Sequence, residues 1–285
     1  MSLEVQHWSG AGNRFVIVDN RQRTIENPWN SLLVRSLCKR KHLPDAEGLL
    51  VLIELDPMDS KCNYDFYNPD GSTGVMCGNG ARCAVRHAIL TGNFKTNQVE
   101  LILNGCLYQA KLVGNDRVAL QLPIYKELRL IESWTYVNVG SHHVIIDARE
   151  LVQSNEEFDR FDLIQFANEN LNSYRDKVGI RNLNLNIAFP INDQQTIRLR
   201  TYENGVYDET QACGTGAVST AIAFWTRNII RNSEIHLIPT SQRILIVHLD
   251  INDEKEEKIS GMILEGDARQ DTSSNRFDIE SMQYL

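Results

Sequence analysis

The stretch Cys77-Gly78-Asn79-Gly80-Ala81-Arg82-Cys83 has an echo at Cys213-Gly214-Thr215-Gly216-Ala217. Both read Cys-Gly-polar-Gly-Ala. Both run into apolar residues at helical spacing: Ala81, Val85, Ala88 and Ile89 after the first, and Ala217, Ala221, Phe224 and Trp225 after the second. Each cysteine is therefore expected where a glycine-flanked loop becomes the first turn of a helix. The first backbone N–H groups have no helical partner there, and the helix dipole is positive. A thiol so placed is expected to titrate below its usual ~8.5, and the same N–H groups can hold a carboxylate. One such element reads equally well as an ordinary turn with a structural cysteine. Two copies, about half the chain apart, point to chemistry that needs a pair. Inverting a carbon that bears a hydrogen is such chemistry, with a base on one face and an acid on the other. The carbanion between them needs its carboxylate stabilised, and helix N-termini can do that.

The chain has 285 residues, enough for one large domain or two of ordinary size. Its 42% apolar and 23% charged residues are those of a soluble globular protein. With a net charge of −8 and no basic run beyond Lys39-Arg40-Lys41, a nucleic-acid partner is disfavoured. No stretch approaches the ~20 apolar residues of a membrane span, and Met1-Ser2-Leu3-Glu4 has no signal-peptide character. The expected compartment is the cytoplasm, where the six cysteines are thiols. They include no Cys-x-x-Cys pair, so no metal site is expected.

Along the chain, strands are expected at Phe15–Val18, Leu49–Leu55 and Phe66-Tyr67, the last followed by an Asn68-Pro69-Asp70-Gly71-Ser72 turn. A hairpin through Asn104-Gly105 joins Gln98–Leu103 to Cys106–Val113, and Arg117–Leu122 closes the first half. Gly10-Ala11-Gly12-Asn13 reads as a ligand cradle or a turn. Trp29–Cys38 is expected to be helical. In the second half, Val144–Ile146, Leu183–Pro190, Ile197–Tyr202, Ile235–Ile238, Ile244–Leu249 and Lys258–Leu264 read as strands, Leu151–Arg175 as one helix, and Asp250–Lys258 as a charged turn. The class is α+β, two similar units with one main glycine-capped helix each.

In order along nearly the whole chain, Gly10-Ala11-Gly12-Asn13, Asn68-Pro69-Asp70-Gly71-Ser72, the Met76–Cys83 motif, Gly140-Ser141-His142-His143, Asn186-Ile187-Ala188-Phe189, and Tyr202-Glu203 through Glu209–Gly216 resemble the diaminopimelate epimerase family. The resemblance implies two pseudo-symmetric domains, each a β-sheet wrapped around a central helix, with the active site in the cleft between them. The domains would be 1–124 with 271–285, and 125–270. It also implies epimerisation of LL- and meso-diaminopimelate without pyridoxal phosphate, metal or other cofactor. Cys77 and Cys213 would be the acid–base pair, and His143 and Glu203 would tune the thiols. Gly78, Asn79, Gly214 and Thr215 would offer N–H groups to the α-carboxylate. Asn13, Asn68, Ser141, Asn186, Glu203 and Asn204 would complete the substrate site. The partner is then a small amino acid, with no nucleic acid or membrane, and the protein acts alone or as a homodimer.

Four places depart from the family pattern: Arg14, Leu43–Gly48, Ser141-His142 and Asn204. Asn204 stands where the family has an arginine for a substrate carboxylate. Another cation is expected to compensate, with Arg14, His142 and Arg82 as candidates; otherwise the substrate lacks a distal carboxylate. The other readings are a racemase of a different amino acid on the same scaffold, a phenazine-type isomerase, which would lack the cysteine pair, and an inactive thiol-sensing protein.

Overall fold

The computed structural model of the chain describes residues 2–25, 29–39, 45–73, 77–191, 195–252 and 258–278, and of residues 2 and 272–278 the backbone alone. Arg40, Lys41, His42, the start of the Leu43–Gly48 loop, Met76 and most of the Asp250–Lys258 turn lie outside the described residues. Among the described residues no helix is long and apolar enough to cross a membrane.

Two compact units are formed, Met1–Gln121 with Gly266–Leu285, and Leu122–Glu265. The first contains β1 (Ser2–Gly10), β2 (Asn13–Asp19), α1 (Ser31–Cys38), β3 (Leu49–Asp56), β4 (Lys61–Tyr67), α2 (Gly78–Gly92), β5 (Gln98–Leu103), β6 (Cys106–Val113) and β7 (Arg117–Leu122). The second contains β8 (Glu127–Ile131), β9 (Trp134–Asn138), β10 (His142–Asp147), α3 (Asn155–Arg160), α4 (Leu163–Val178), β11 (Leu183–Pro190), β12 (Thr196–Glu203), β13 (Asp208–Thr210), α5 (Gly214–Thr226), β14 (Glu234–Ile238), β15 (Leu245–Asn252) and β16 (Lys258–Asp267). The last strand, β17 (Arg269–Asp278), returns to the first unit and pairs with β1.

Strand order in the first unit is β17-β1-β2-β3-β4-β5-β6-β7, with β2–β3 and β4–β5 parallel and every other pair antiparallel. In the second it is β8-β9-β10-β11-β12-β14-β15-β16, with β10–β11 and β12–β14 parallel. The parallel pairs fall at the same two steps in both. A parallel pair cannot be joined by a tight turn and needs a crossover. Those crossovers carry α1 and α2 in one unit, and α3–α4 and α5 in the other.

Strand periodicity sorts the core into two faces. In the first unit Val16, Val18, Leu49 and Val51 pack with Val34 and Leu37 of α1, while Phe15, of opposite parity, lies beside Gly80 of α2. In the second, Val144, Ile146, Leu183, Leu185 and Ile187 pack under Phe158, Leu163, Ala167 and Leu171 of α3 and α4. The opposite parity carries His143, Asn184 and Asn186. Each sheet wraps the helix of its second crossover, α2 in the first unit and α5 in the second. Nearly all of α5 is buried, as is α2 from Gly78 to Val85. A helix apolar all round is stable only when enclosed, and the small residues of both let strands approach from several sides.

Gly10-Ala11-Gly12-Asn13 proves to be a turn: β1 and β2 pair up to Gly10 and Asn13, with Ala11 and Gly12 at φ 51° and 98°. Two positive φ values in a two-residue hairpin suit the strand twist. Alanine resists that conformation; here its N–H is held by Asp267 Oδ1 at 2.8 Å. The single helix expected over 151–175 is instead two, α3 and α4. The break follows from two caps: Ser154 accepts from Glu157 N–H, and Asp162 accepts from Gln165 N–H. Strands β8, β9, β13 and β17 were not expected from sequence.

Candidate active site

Both cysteines are helix N-caps with matching backbones. Cys77 precedes α2 at φ −101°, ψ 106°, and Cys213 precedes α5 at φ −110°, ψ 111°. In each, the cysteine carbonyl takes the first helical bond, from Ala81 N at 2.8 Å and from Ala217 N at 2.9 Å. Gly78 and Asn79, like Gly214 and Thr215, occupy first-turn positions whose N–H groups no carbonyl of their own helix reaches. All six cysteines are thiols; Cys77 is half-buried and Cys213 buried.

Around Cys213 the second unit builds a polar network on the α5 side of its sheet. Registers explain it: Ile145 lies opposite Asn186 on β11, which lies opposite Thr201 on β12, and His143 lies opposite Asn184. Thr201 Oγ1 donates to Asn186 Oδ1 at 2.9 Å. Asn186 Nδ2 donates to His143 Nδ1 and to Val144 O, both at 3.0 Å. The proton of the neutral ring therefore sits on Nε2, where it meets Thr215 Oγ1 at 3.0 Å and Ser141 Oγ at 2.9 Å. Thr215 Oγ1 is 3.4 Å from Cys213 Sγ, which also accepts from Gly216 N at 3.4 Å. Burial pushes His143 down to about 3, with the neighbouring His142 charge adding to it. His143 is a neutral donor across the physiological range.

Asn186 is entirely buried, with both amide hydrogens given to protein acceptors. Its place is to orient His143. Glu203, at the end of β12, is pushed above the usual carboxylate range by burial, with a Thr210 contact acting in the opposite direction. Asn204 N donates to Asn184 Oδ1 at 2.8 Å, and its Oδ1 accepts from Arg175 at 3.0 Å.

In the first unit Cys77 opens onto a different setting. Arg82, fully buried, donates to Asn79 Oδ1 at 2.6 Å and Gly78 O at 3.3 Å, and reaches Asp267 O. Burial lowers its pKa to about 10, so it stays charged, and its field falls on Cys77 and Cys83. Asn13 is buried at the start of β2, and Asn68 ties its own turn together, Nδ2 donating to Ser72 Oγ at 3.0 Å.

Of the three cations expected to stand in for the missing arginine, two are engaged elsewhere. Arg82 is enclosed in its own helix start. His142 bonds Tyr136 Oη through Nδ1 at 2.7 Å and stacks on that ring, with its pKa lowered by burial. Arg14 lies at the start of β2. The cation on Asn204 is Arg175, which sequence reasoning missed because it sits on a polar helix about thirty residues earlier. Thr201 and Asp267 were also missed. Thr201 had a signal, being a hydroxyl at the core-facing parity of β12 after Ile197 and Leu199.

Two buried histidines are expected to make the fold acid-labile. Burial lowers His143 from 6.5 to about 3 and His87 from 6.5 to about 4. Below pH 6.5 the unfolded chain binds protons that the folded chain refuses, so stability falls as pH drops towards 4. Each group contributes up to about 1.4 kcal/mol per pH unit. Urea midpoints are expected to fall steadily from pH 6.5 to 4.5, and less so in His87→Asn; a flat profile contradicts this.

The family model described as diaminopimelate epimerase matches residues 7–120. A diaminopimelate epimerase of Flavobacterium psychrophilum is 34% identical over 223 residues, 78% of this chain and 81% of that protein. One from Chlorobaculum tepidum is 32% identical over 268 residues, 92% of this chain and 96% of that protein. Among solved structures, a PhzF-family phenazine biosynthesis protein of Bacillus anthracis superposes with a TM-score of 0.70 at 12% identity, covering 98% of this chain and 100% of that one. A hydroxyproline epimerase from Agrobacterium vitis gives 0.68 at 12% identity, covering 97% and 91%. Those two establish the shared fold. With both cysteine motifs in place and relatives above 30% identity along most of its length, this chain belongs to the diaminopimelate epimerase family.

Proposed function

We propose that this protein is a diaminopimelate epimerase, an isomerase of lysine biosynthesis that inverts one α-carbon of 2,6-diaminopimelate between the LL and meso forms. The observation that carries this reading is the matched pair of cysteine N-caps, alike in backbone angle and each opening an enclosed helix. Starting from the LL isomer, the Cys77 thiolate removes the α-proton, leaving the C–H electron pair on carbon as a carbanion conjugated with its carboxylate. The Cys213 thiol then gives its proton to the opposite face, and the reverse reaction exchanges the two roles. N–H groups of Gly78, Asn79, Gly214 and Thr215 would carry the growing carboxylate charge. Once Cys213 has given up its proton, its thiolate is stabilised by Gly216 N–H and by Thr215, whose hydroxyl is turned towards sulfur because His143 Nε2–H donates to it from behind.

Purified protein in D₂O is expected to exchange the α-hydrogen of diaminopimelate and to convert the LL to the meso isomer. A racemase of another amino acid is the second reading, favoured by Asn204 in place of a cation. If diaminopimelate does not exchange while another amino acid in a panel does, that second reading replaces the first.

A further inference from the structure

Arg175 lies near the C-terminal end of α4 and reaches out of its helix. Nη2 donates to Asn204 Oδ1 at 3.0 Å and Nη1 to Asn172 Oδ1 at 3.1 Å. Nε is buried and has no acceptor among the described residues. A guanidinium carries five N–H donors in a fixed fork and no acceptor, and here it meets only neutral amides. Four other arginines of the same unit are each paired with a carboxylate, Arg129 with Glu127, Arg149 with Asp147, Arg198 with Asp159 and Arg200 with Glu209, while Arg227 is held by Thr135 Oγ1 and two backbone carbonyls. Among the described residues no carboxylate pairs with Arg175.

This uncompensated cation is tied to the residues around Cys213. Asn204 N donates to Asn184 Oδ1 at 2.8 Å, and Asn184 Nδ2 donates to His142 O at 3.1 Å. His142 adjoins His143, whose ring holds Thr215 and through it Cys213. Asn204 gives its carbonyl oxygen to Arg175, and its Nδ2 donates to nothing among the described residues. A cation without an anion, a buried donor without an acceptor and a free amide NH₂ stand side by side. Together they suit a carboxylate, which accepts paired bonds from a guanidinium.

We infer that Arg175, aimed by Asn204, binds the distal carboxylate of the substrate and sets the preference for a dicarboxylic amino acid. This rests on the function proposed above. The α-carboxylate falls to the N–H groups at the helix starts, so the second carboxylate needs a cation of its own. Arg175 supplies it, from a helix and not from the strand end that carries Asn204. Asn204 then aims the cation instead of providing it.

The test begins with wild-type turnover of diaminopimelate. Its absence overturns the functional reading and this inference together. Given turnover, Arg175→Gln is expected to raise KM for diaminopimelate roughly ten- to a hundredfold, with kcat changed by less than about threefold. Arg175→Lys, which keeps the charge but loses the fork, should fall between. The inhibition constant of lysine, the same skeleton without the distal carboxylate, should stay within about threefold. Arg175→Ala with Asn204→Arg should recover most of the lost KM, while Asn204→Arg alone should gain little. An unchanged KM in Arg175→Gln, with wild-type melting behaviour, overturns the assignment. So does a loss shared equally by lysine, or a double variant no better than Arg175→Ala alone.

Discussion

Cys213→Ala is expected to lower the rate of LL-to-meso conversion by at least about 10³-fold, and Cys77→Ala by as much. Positioned proton transfer contributes typically 10²–10⁴-fold, and a two-face inversion has no route around either thiol. Controls sharpen the test. Cys38 and Cys62 are buried in the first unit, and burial pushes both thiols up to about 12, so neither forms a thiolate at neutral pH. Cys38→Ala and Cys62→Ala should keep wild-type turnover at a small cost in stability. Normal inversion by Cys213→Ala would remove the proposed mechanism altogether.

The second large effect is expected at Gly216. A Cβ there would lie 2.6 Å from Asn186 Oδ1 and 3.2 Å from both Thr201 Oγ1 and Cys213 Cβ. None of these can step aside freely. Asn186 is held by three hydrogen bonds to protein partners, and Cys213 is the cap of α5. Overpacking of this kind typically costs about 1–3 kcal/mol. Displacing Asn186 also turns the His143 ring that holds Thr215 against the thiol. Gly216→Ala is expected to lower kcat at least about a hundredfold, the scale on which small misplacements slow an enzyme.

Its counterpart Gly80 provides the contrast. The three atoms nearest a Cβ there all belong to the Phe15 ring, at 3.3 to 3.7 Å, and a ring can shift by a few tenths of an ångström. Gly80→Ala should retain activity within about tenfold of wild type. Equal losses in the two variants would mean that the polar network behind Cys213 has no special part in holding the thiol.

The comparison of the two glycines also shows the limit of the sequence. Five residues of each motif established that a cysteine caps a helix, because glycine spacing and helical periodicity are local properties of the chain. The hairpin at Asn104-Gly105, the strands at 117–122 and 183–190, and the helices after Cys77 and Cys213 were legible for the same reason. The split of the region 151–175 was legible in principle, since Ser154 and Asp162 are both capping residues. It was obscured by an apolar pattern that continues across the gap.

Topology and the contents of each cysteine's surroundings were decided by tertiary structure. The common strand order of the two units follows from pairings between distant segments, including β17, which returns from the end of the chain to β1. Register set Asn186 between His143 and Thr201, so the amide of a residue expected to bind substrate is engaged by the histidine and the threonine. Asn204 read as a lost cation because sequence compares one position at a time. The guanidinium beside it comes from a helix packed on the other face of the sheet, and only the fold could bring a charge from residue 175 to residue 204. The residue types and the chemistry were written locally. The partners of each side chain depend on contacts between strands and helices far apart in the chain, which no local pattern encodes.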